Sequence, residues 1–155
     1  MTSPIMIRLA TLQDEGTLTA LAWRLTVFPL PAWRKPEHIA DADHREMMAA
    51  IRAGSATSEV FIAERNGSAV GCLHILEDVD FFGARHAHIS VVATSADAEG
   101  SGVGRALMAH AETWARQRGH TLLTLNVFAA NDRARRFYDR AGYAPEIMKY
   151  VKQVR

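Results

Sequence analysis

A single cysteine, Cys72, stands in a chain of 155 residues, so no intramolecular disulfide can staple it. Its apolar setting marks it as a small core residue with no histidine beside it to activate the thiol. Stability must come from packing, and this length suits one domain over residues 1–155 with no room for a second. Charge of one sign is equally scarce: Lys and Arg number 18 against 17 Asp and Glu, a net charge of +1. No single-signed field exists to recruit nucleic acid or an anionic membrane, so neither is an expected partner. No apolar run approaches the roughly 18–20 residues of a membrane span. The N-terminus lacks the basic start and long apolar stretch of a secretory signal. The expected location is the cytoplasm, and no metal is expected.

What is present is an ordinary globular composition, 48% apolar and 23% charged, with clear periodicity. Ile5 to Leu9 reads as a first strand. Thr11, with Asp14 three residues on, reads as the cap of a helix carrying Leu18, Leu21, Ala22, Leu25 and Phe28, which Pro29 and Pro31 end. A second helix is expected over about Glu37 to Ala53, stopped by Gly54. Val60–Ala63 and Val70–Leu76 read as strands joined by a turn at Asn66-Gly67. The acidic stretch from Glu77 to Arg85 reads as a turn. His86–Ala93 is a fourth strand, whose alternation sets His88 and Ser90 against Ile89 and Val91. A third helix runs from about Gly102 to Arg118, a strand from Leu122 to Phe128, and a last helix from its cap at Asn131 to Gly142. Ile147–Val154 reads as a final strand. Hairpins mixed with a strand–helix–strand unit predict an α/β (α+β) domain with a mixed sheet covered by helices.

The most informative stretch is Glu99-Gly100-Ser101-Gly102-Val103-Gly104-Arg105, between a strand and a strongly periodic helix. Glycines at a helix start cost backbone entropy, and they are easiest to explain if a ligand approaches the backbone closely. The free N–H groups and partial positive charge of a first helical turn suit phosphate, and Ser101 and Arg105 add a hydroxyl donor and a charge. A mononucleotide loop would need Lys followed by Ser or Thr, which is missing. A dinucleotide fold would need Gly-x-Gly-x-x-Gly and an acid closing the next strand, but the spacing is Gly-x-Gly-x-Gly and the strand ends at Asn126-Val127-Phe128. Coenzyme A pyrophosphate is the remaining class.

Here the sequence resembles the Gcn5-related N-acetyltransferase (GNAT) family. Glu99 through Gly104 resembles the family's Gln/Arg-x-x-Gly-x-Gly/Ala turn, preceded on its strand by Val91-Val92. Asn131, Ala134, Phe137, Tyr138, Gly142 and Tyr143 match its second motif, Asn-x-x-Ala-x-x-Phe-Tyr-x-x-x-Gly-Phe/Tyr, at full spacing. The departure is Glu99, where the family usually has Gln or Arg; it is expected to turn toward solvent.

The resemblance implies a mostly antiparallel central sheet with a V-shaped splay between strands four and five, flanked by about four helices. It also implies acetyl-coenzyme A as co-substrate. Val91 and Val92 would pair with the pantetheine arm, and Gly100, Ser101, Gly102, Val103, Gly104 and Arg105 would hold the pyrophosphate. Asn131 would contact the arm, and Tyr138 would be the general acid for the leaving thiolate. The base is not named by any motif; His74, His86, His88 and Glu77 are candidates, with His88 the choice. Trp23, Phe28, Trp33, Phe81, Phe82 and Tyr150 could wall the site for a primary amine of a small molecule or peptide, and a homodimer could form through the C-terminal strands. The alternative is a coenzyme A-binding sensor or interaction module without catalysis.

Overall fold

In the computed structural model, which describes residues 3–155, the chain forms five strands and four α-helices. The elements are β1 (Met6–Leu9), α1 (Glu15–Arg24), α2 (Pro36–Ala53), β2 (Ser58–Arg65), β3 (Ser68–Val79), β4 (Arg85–Thr94), α3 (Val103–Gln117), β5 (Leu123–Leu125) and α4 (Asp132–Arg140). The sheet order is β1-β2-β3-β4-β5. Every neighbouring pair is antiparallel except β4 and β5. Helices α1 and α2 cover one face through Leu18, Leu21, Met47 and Met48 against Ile62, Cys72 and Val91. The other face packs Leu73, Ile75 and Ile89 against Val103, Leu107 and Trp114 of α3, with Phe137 and Tyr138 of α4 at the margin.

Local chemistry sets most boundaries. Thr11 caps a single 3₁₀ turn, Leu12–Asp14, that leads into α1: it accepts from the N–H of Gln13, and Asp14 accepts in return from the N–H of Thr11 at 2.7 Å, a reciprocal capping box. Arg8 grips the same Asp14 carboxylate with two nitrogens, at 2.8 and 2.9 Å, tying β1 to the helix start. Helix α1 stops at Arg24, short of the expected Phe28. The hydroxyl of Thr26 bonds the carbonyl of Trp23 at 2.8 Å, Val27 adds a β-branch, and Phe28 precedes a proline, which disfavours helical backbone. Helix α2 ends at Gly54, in the left-handed region at φ 61°.

Three expectations are corrected. Strand β3 runs on through Glu77, Asp78 and Val79, so the acidic turn shrinks to residues 80–84, where Asp80 accepts from the N–H groups of Phe82 and Ala84. Strand β5 covers only Leu123–Leu125. Ile147–Val154 forms no strand, and Tyr150 and Val154 are 85% and 86% exposed. Apolar alternation supplies strand propensity, but a strand exists only where a neighbouring edge completes its ladder.

Candidate active site

The β4–β5 pairing is short: Ala87, His88 and Ile89 face Leu123, Thr124 and Leu125, and there it ends. Among the described residues, β4 has no partner on that side from Ser90 onward. This is the expected splay, and it leaves main-chain groups of β4 open along one edge. Opposite, β3 forces an irregularity. His74 faces Val91 and Ile75 faces Ile89, so Ser90 is an extra residue, a β-bulge. The expected strict alternation therefore fails. Ile89 belongs to the α3 core, whereas Val91 and Ala93 belong to the α1–α2 core and Val92 returns to the α3 side.

The glycine turn follows β4. Gly100 and Gly102 hold φ of 72° and 89°, left-handed conformations that side chains disfavour. A Cβ built on either would meet nothing within 4 Å, so the space above both is open. The first helical bond of α3 runs from Ala106 N–H to Gly102 O, so the N–H groups of Val103, Gly104 and Arg105 precede the intrahelical ladder. Such an array fits a diphosphate. Gly104 differs: a Cβ built there would lie 3.5 Å from Phe137 Cζ, so the ring of α4 sits over this turn of α3. Ser101 is not the hydroxyl donor its sequence suggested. Its Oγ donates to Ala98 O and accepts from Arg65 Nη1 at 2.9 Å, while Arg65 Nη2 binds Ser101 O at 2.9 Å. Arg65 thus braces the turn from β2. Arg105 is exposed at the helix start.

Glu99 does not simply point to solvent. Its carboxylate pairs with Arg24 of α1 at 2.5 Å and with Arg133 of α4 at 2.9 Å. Arg133 above all, then Arg24, holds it below the usual carboxylate range. Two cations therefore flank one anion beside the turn, which removes the repulsion a lone carboxylate would exert there. Arg24 Nε also binds Thr94 O at 3.2 Å, at the end of β4. Neither arginine was singled out for this role by its sequence context.

Asn131 caps α4, its Oδ1 accepting from Ala134 N–H at 3.2 Å, which leaves its NH₂ as the outward donor. Tyr138 is half-buried between Phe137 and Tyr143, with ring centroids 5.5 and 5.9 Å away. Burial raises its pKa, so the phenol stays protonated at neutral pH. His88 lies on the other face of the sheet, with Nδ1 2.7 Å from Thr124 Oγ1. Burial lowers its pKa, Asp78 opposes that shift and His86 adds to it, so the ring is neutral at pH 7.

The other base candidates are engaged elsewhere. His74 is buried, 3.0 Å from Ser58 Oγ, and desolvation pushes it down to about 4. His86 is buried with Nδ1 3.3 Å from Ala84 O. Glu77 pairs with Arg85 at 3.0 Å. Cys72 is fully buried, its thiol pushed up to about 12. The suggested aromatic walls are not gathered as one set. Phe28 packs on Phe128 at 5.2 Å, linking the loop after α1 to the chain after β5. Phe81 and Phe82 stack edge to face at 5.6 Å on the tip of the β3–β4 hairpin.

The acetyltransferase (GNAT) family matches residues 20–143, and the chain belongs to that family. It is therefore an acyltransferase, and acetyl-coenzyme A is the family's donor. No curated protein matches the sequence. Among solved structures, a GCN5-related N-acetyltransferase from Ralstonia eutropha JMP134 superposes with TM-score 0.73 at 17% identity, over 96% of this chain and 99% of that one. Aminoglycoside N-acetyltransferase AAC(6')-Iy, solved with coenzyme A, gives 0.72 at 16%, over 99% and 98%. A structure described as a transcriptional regulator from Bacillus halodurans C-125 gives 0.71 at 23%, over 97% and 100%. At these identities the likeness is one of fold. Among the described residues, no helix is long and apolar enough to cross a membrane.

Proposed function

We propose that residues 1–155 form one N-acetyltransferase domain that moves an acetyl group from acetyl-coenzyme A to a primary amine by direct attack on the thioester. One observation carries this reading: the open glycine turn sits at the end of the parted β4 edge, with Tyr138 on one face of the sheet and His88 on the other. The donor supplies an activated acyl group; the chain supplies position and proton transfer. N–H groups at Gly100 to Arg105 hold the diphosphate. Backbone at Val91 and Val92 pairs with the arm, and the Asn131 NH₂ donates to it. An N–H of β4 near Val92 faces the carbonyl oxygen as its charge grows.

His88 takes a proton from the incoming ammonium, since only the neutral amine can attack. The C–N bond forms and the C–S bond breaks. Tyr138 protonates the departing sulfur, a step its protonated state at neutral pH permits. The nitrogen sheds two protons in all; one ends on sulfur and the other passes to solvent. The acceptor enters from the α1–α2 side, where Trp23, Phe28 and Trp33 lie. A cytoplasmic location fits one fully buried thiol. A homodimer fits the exposed Ile147, Met148, Tyr150 and Val154, which a second copy's sheet edge could cover.

Calorimetric titration with acetyl-coenzyme A tests this, with ATP and NADH as controls and Gly102→Glu as the blocked variant. Selective binding that a folded Gly102→Glu protein loses supports it. Binding of ATP or NADH in preference, or of nothing, refutes it.

A further inference from the structure

His88 and Thr124 face each other as a parallel cross-strand pair, one pair before β4 and β5 separate. Their side chains therefore meet on the α1–α2 face at the mouth of the splay, with Thr124 Oγ1 2.7 Å from His88 Nδ1. A threonine on a strand is stiff at χ1, so its oxygen is held by the backbone of β5. An imidazole that accepts a proton at Nε2 must carry its existing proton on Nδ1, and that tautomer is fixed by whatever Nδ1 bonds. The hydrogen bond also stops the ring from turning about χ2 in a site that has to receive an amine. The other charged and titratable groups around His88 are Asp78 and His74 on β3 and His86 on β4, with Glu46 of α2 acting on His74. None of these has a hydrogen bond to the His88 ring among the described residues.

We propose that Thr124 is a positioning residue that holds His88 as the Nδ1-protonated tautomer, leaving the Nε2 lone pair to take the acceptor's proton. The proposal rests on His88 being the base. The opposite arrangement, with the Thr124 hydroxyl donating to Nδ1, would put the ring proton on Nε2 and leave the ring no free lone pair.

The test compares Thr124→Val, Thr124→Ser and His88→Gln in the full chain. Histidine-labelled protein reports both ring nitrogens by NMR, and His88→Gln assigns the signals. The wild type is expected to show protonated Nδ1 and unprotonated Nε2, Thr124→Val a mixture of tautomers, and Thr124→Ser the wild-type pattern. With benzylamine and acetyl-coenzyme A, kcat/KM should fall about tenfold in Thr124→Val and stay within about twofold in Thr124→Ser, with acetyl-coenzyme A affinity unchanged in both. A proton on Nε2 in the wild type, or an unaltered ring in Thr124→Val, overturns the proposal. A tautomer shift in Thr124→Val beside full activity in His88→Gln keeps the positioning and removes His88 as base.

Discussion

Gly71 of β3 packs directly under the start of α3, the helix that follows the glycine turn. A methyl group there would lie 2.8 Å from Ala93 O, 2.9 Å from Val103 Cγ1 and 3.0 Å from Leu107 Cδ1. The first neighbour is backbone of β4, fixed by pairing on both sides of that point: Gly71 faces Thr94 and Cys72 faces Ala93. The other two belong to α3, whose Val103 directly follows Gly102. One added methyl must therefore push α3 off the sheet or spread β3 from β4. Overpacking of this kind costs about 1–3 kcal/mol. For a chain of this size that corresponds to a fall in Tm of roughly 3–10 °C. The displaced element starts at the proposed phosphate cradle, so Gly71→Ala should also weaken acetyl-coenzyme A binding while leaving far-UV circular dichroism unchanged. Urea unfolding and calorimetry read the two effects. Val103→Ala in the same chain removes one obstructing methyl, and the double variant should be less destabilised than the sum of the single changes. Stability within 0.5 kcal/mol of wild type, on the order of an ordinary surface substitution, would refute the packing argument. Strictly additive losses would refute the role of Val103.

Tyr138→Phe removes only the hydroxyl, so kcat should drop by about 10²-fold or more with acetyl-coenzyme A affinity retained, measured by thiol release and calorimetry. Glu99→Gln frees Arg24 and Arg133 from their anion beside the turn; acetyl-coenzyme A should bind as tightly or more tightly, and clear weakening would contradict that placement. Burial raises Asp43 to about 6, above the ordinary carboxylate value. The folded protein then binds more protons than the unfolded chain between about pH 4 and 6, so this group makes stability fall as pH rises through that window. Asp43→Asn should flatten that part of the Tm-against-pH curve.

The parts of the site legible in the sequence are those that a short stretch of chain specifies by itself. Gly100 and Gly102 are glycines because the turn needs positive φ, and Asn131 is a cap because its own helix start needs an acceptor. Gly142, at φ 92°, closes the same helix. The misread parts depend on residues far along the chain. Glu99 looks exposed until Arg24, 75 positions away, reaches it. Ser101 looks like a free donor until Arg65, 36 positions away, turns out to bind it. Ile147–Val154 has strand periodicity, but it pairs with neither edge of the described sheet.

The bulge at Ser90 is the clearest case, because no residue type announces it. It exists only through the register of β4 against β3, where His74 and Ile75 face Val91 and Ile89. Its consequence is larger than one extra residue. With strict alternation, Ile89 and Val91 would share a face, and one of the two cores would lose an apolar side chain. The extra residue lets β4 feed the α3 core before the bulge and the α1–α2 core after it. It does so at the position where β5 leaves. One strand thereby carries His88 on the α1–α2 face and leaves an unpaired backbone edge next to Val92, whose side chain packs on the α3 face with Tyr138. The proposed reaction uses both features: the two reactants would approach from opposite faces because the sheet is open there and because its side-chain order changes there.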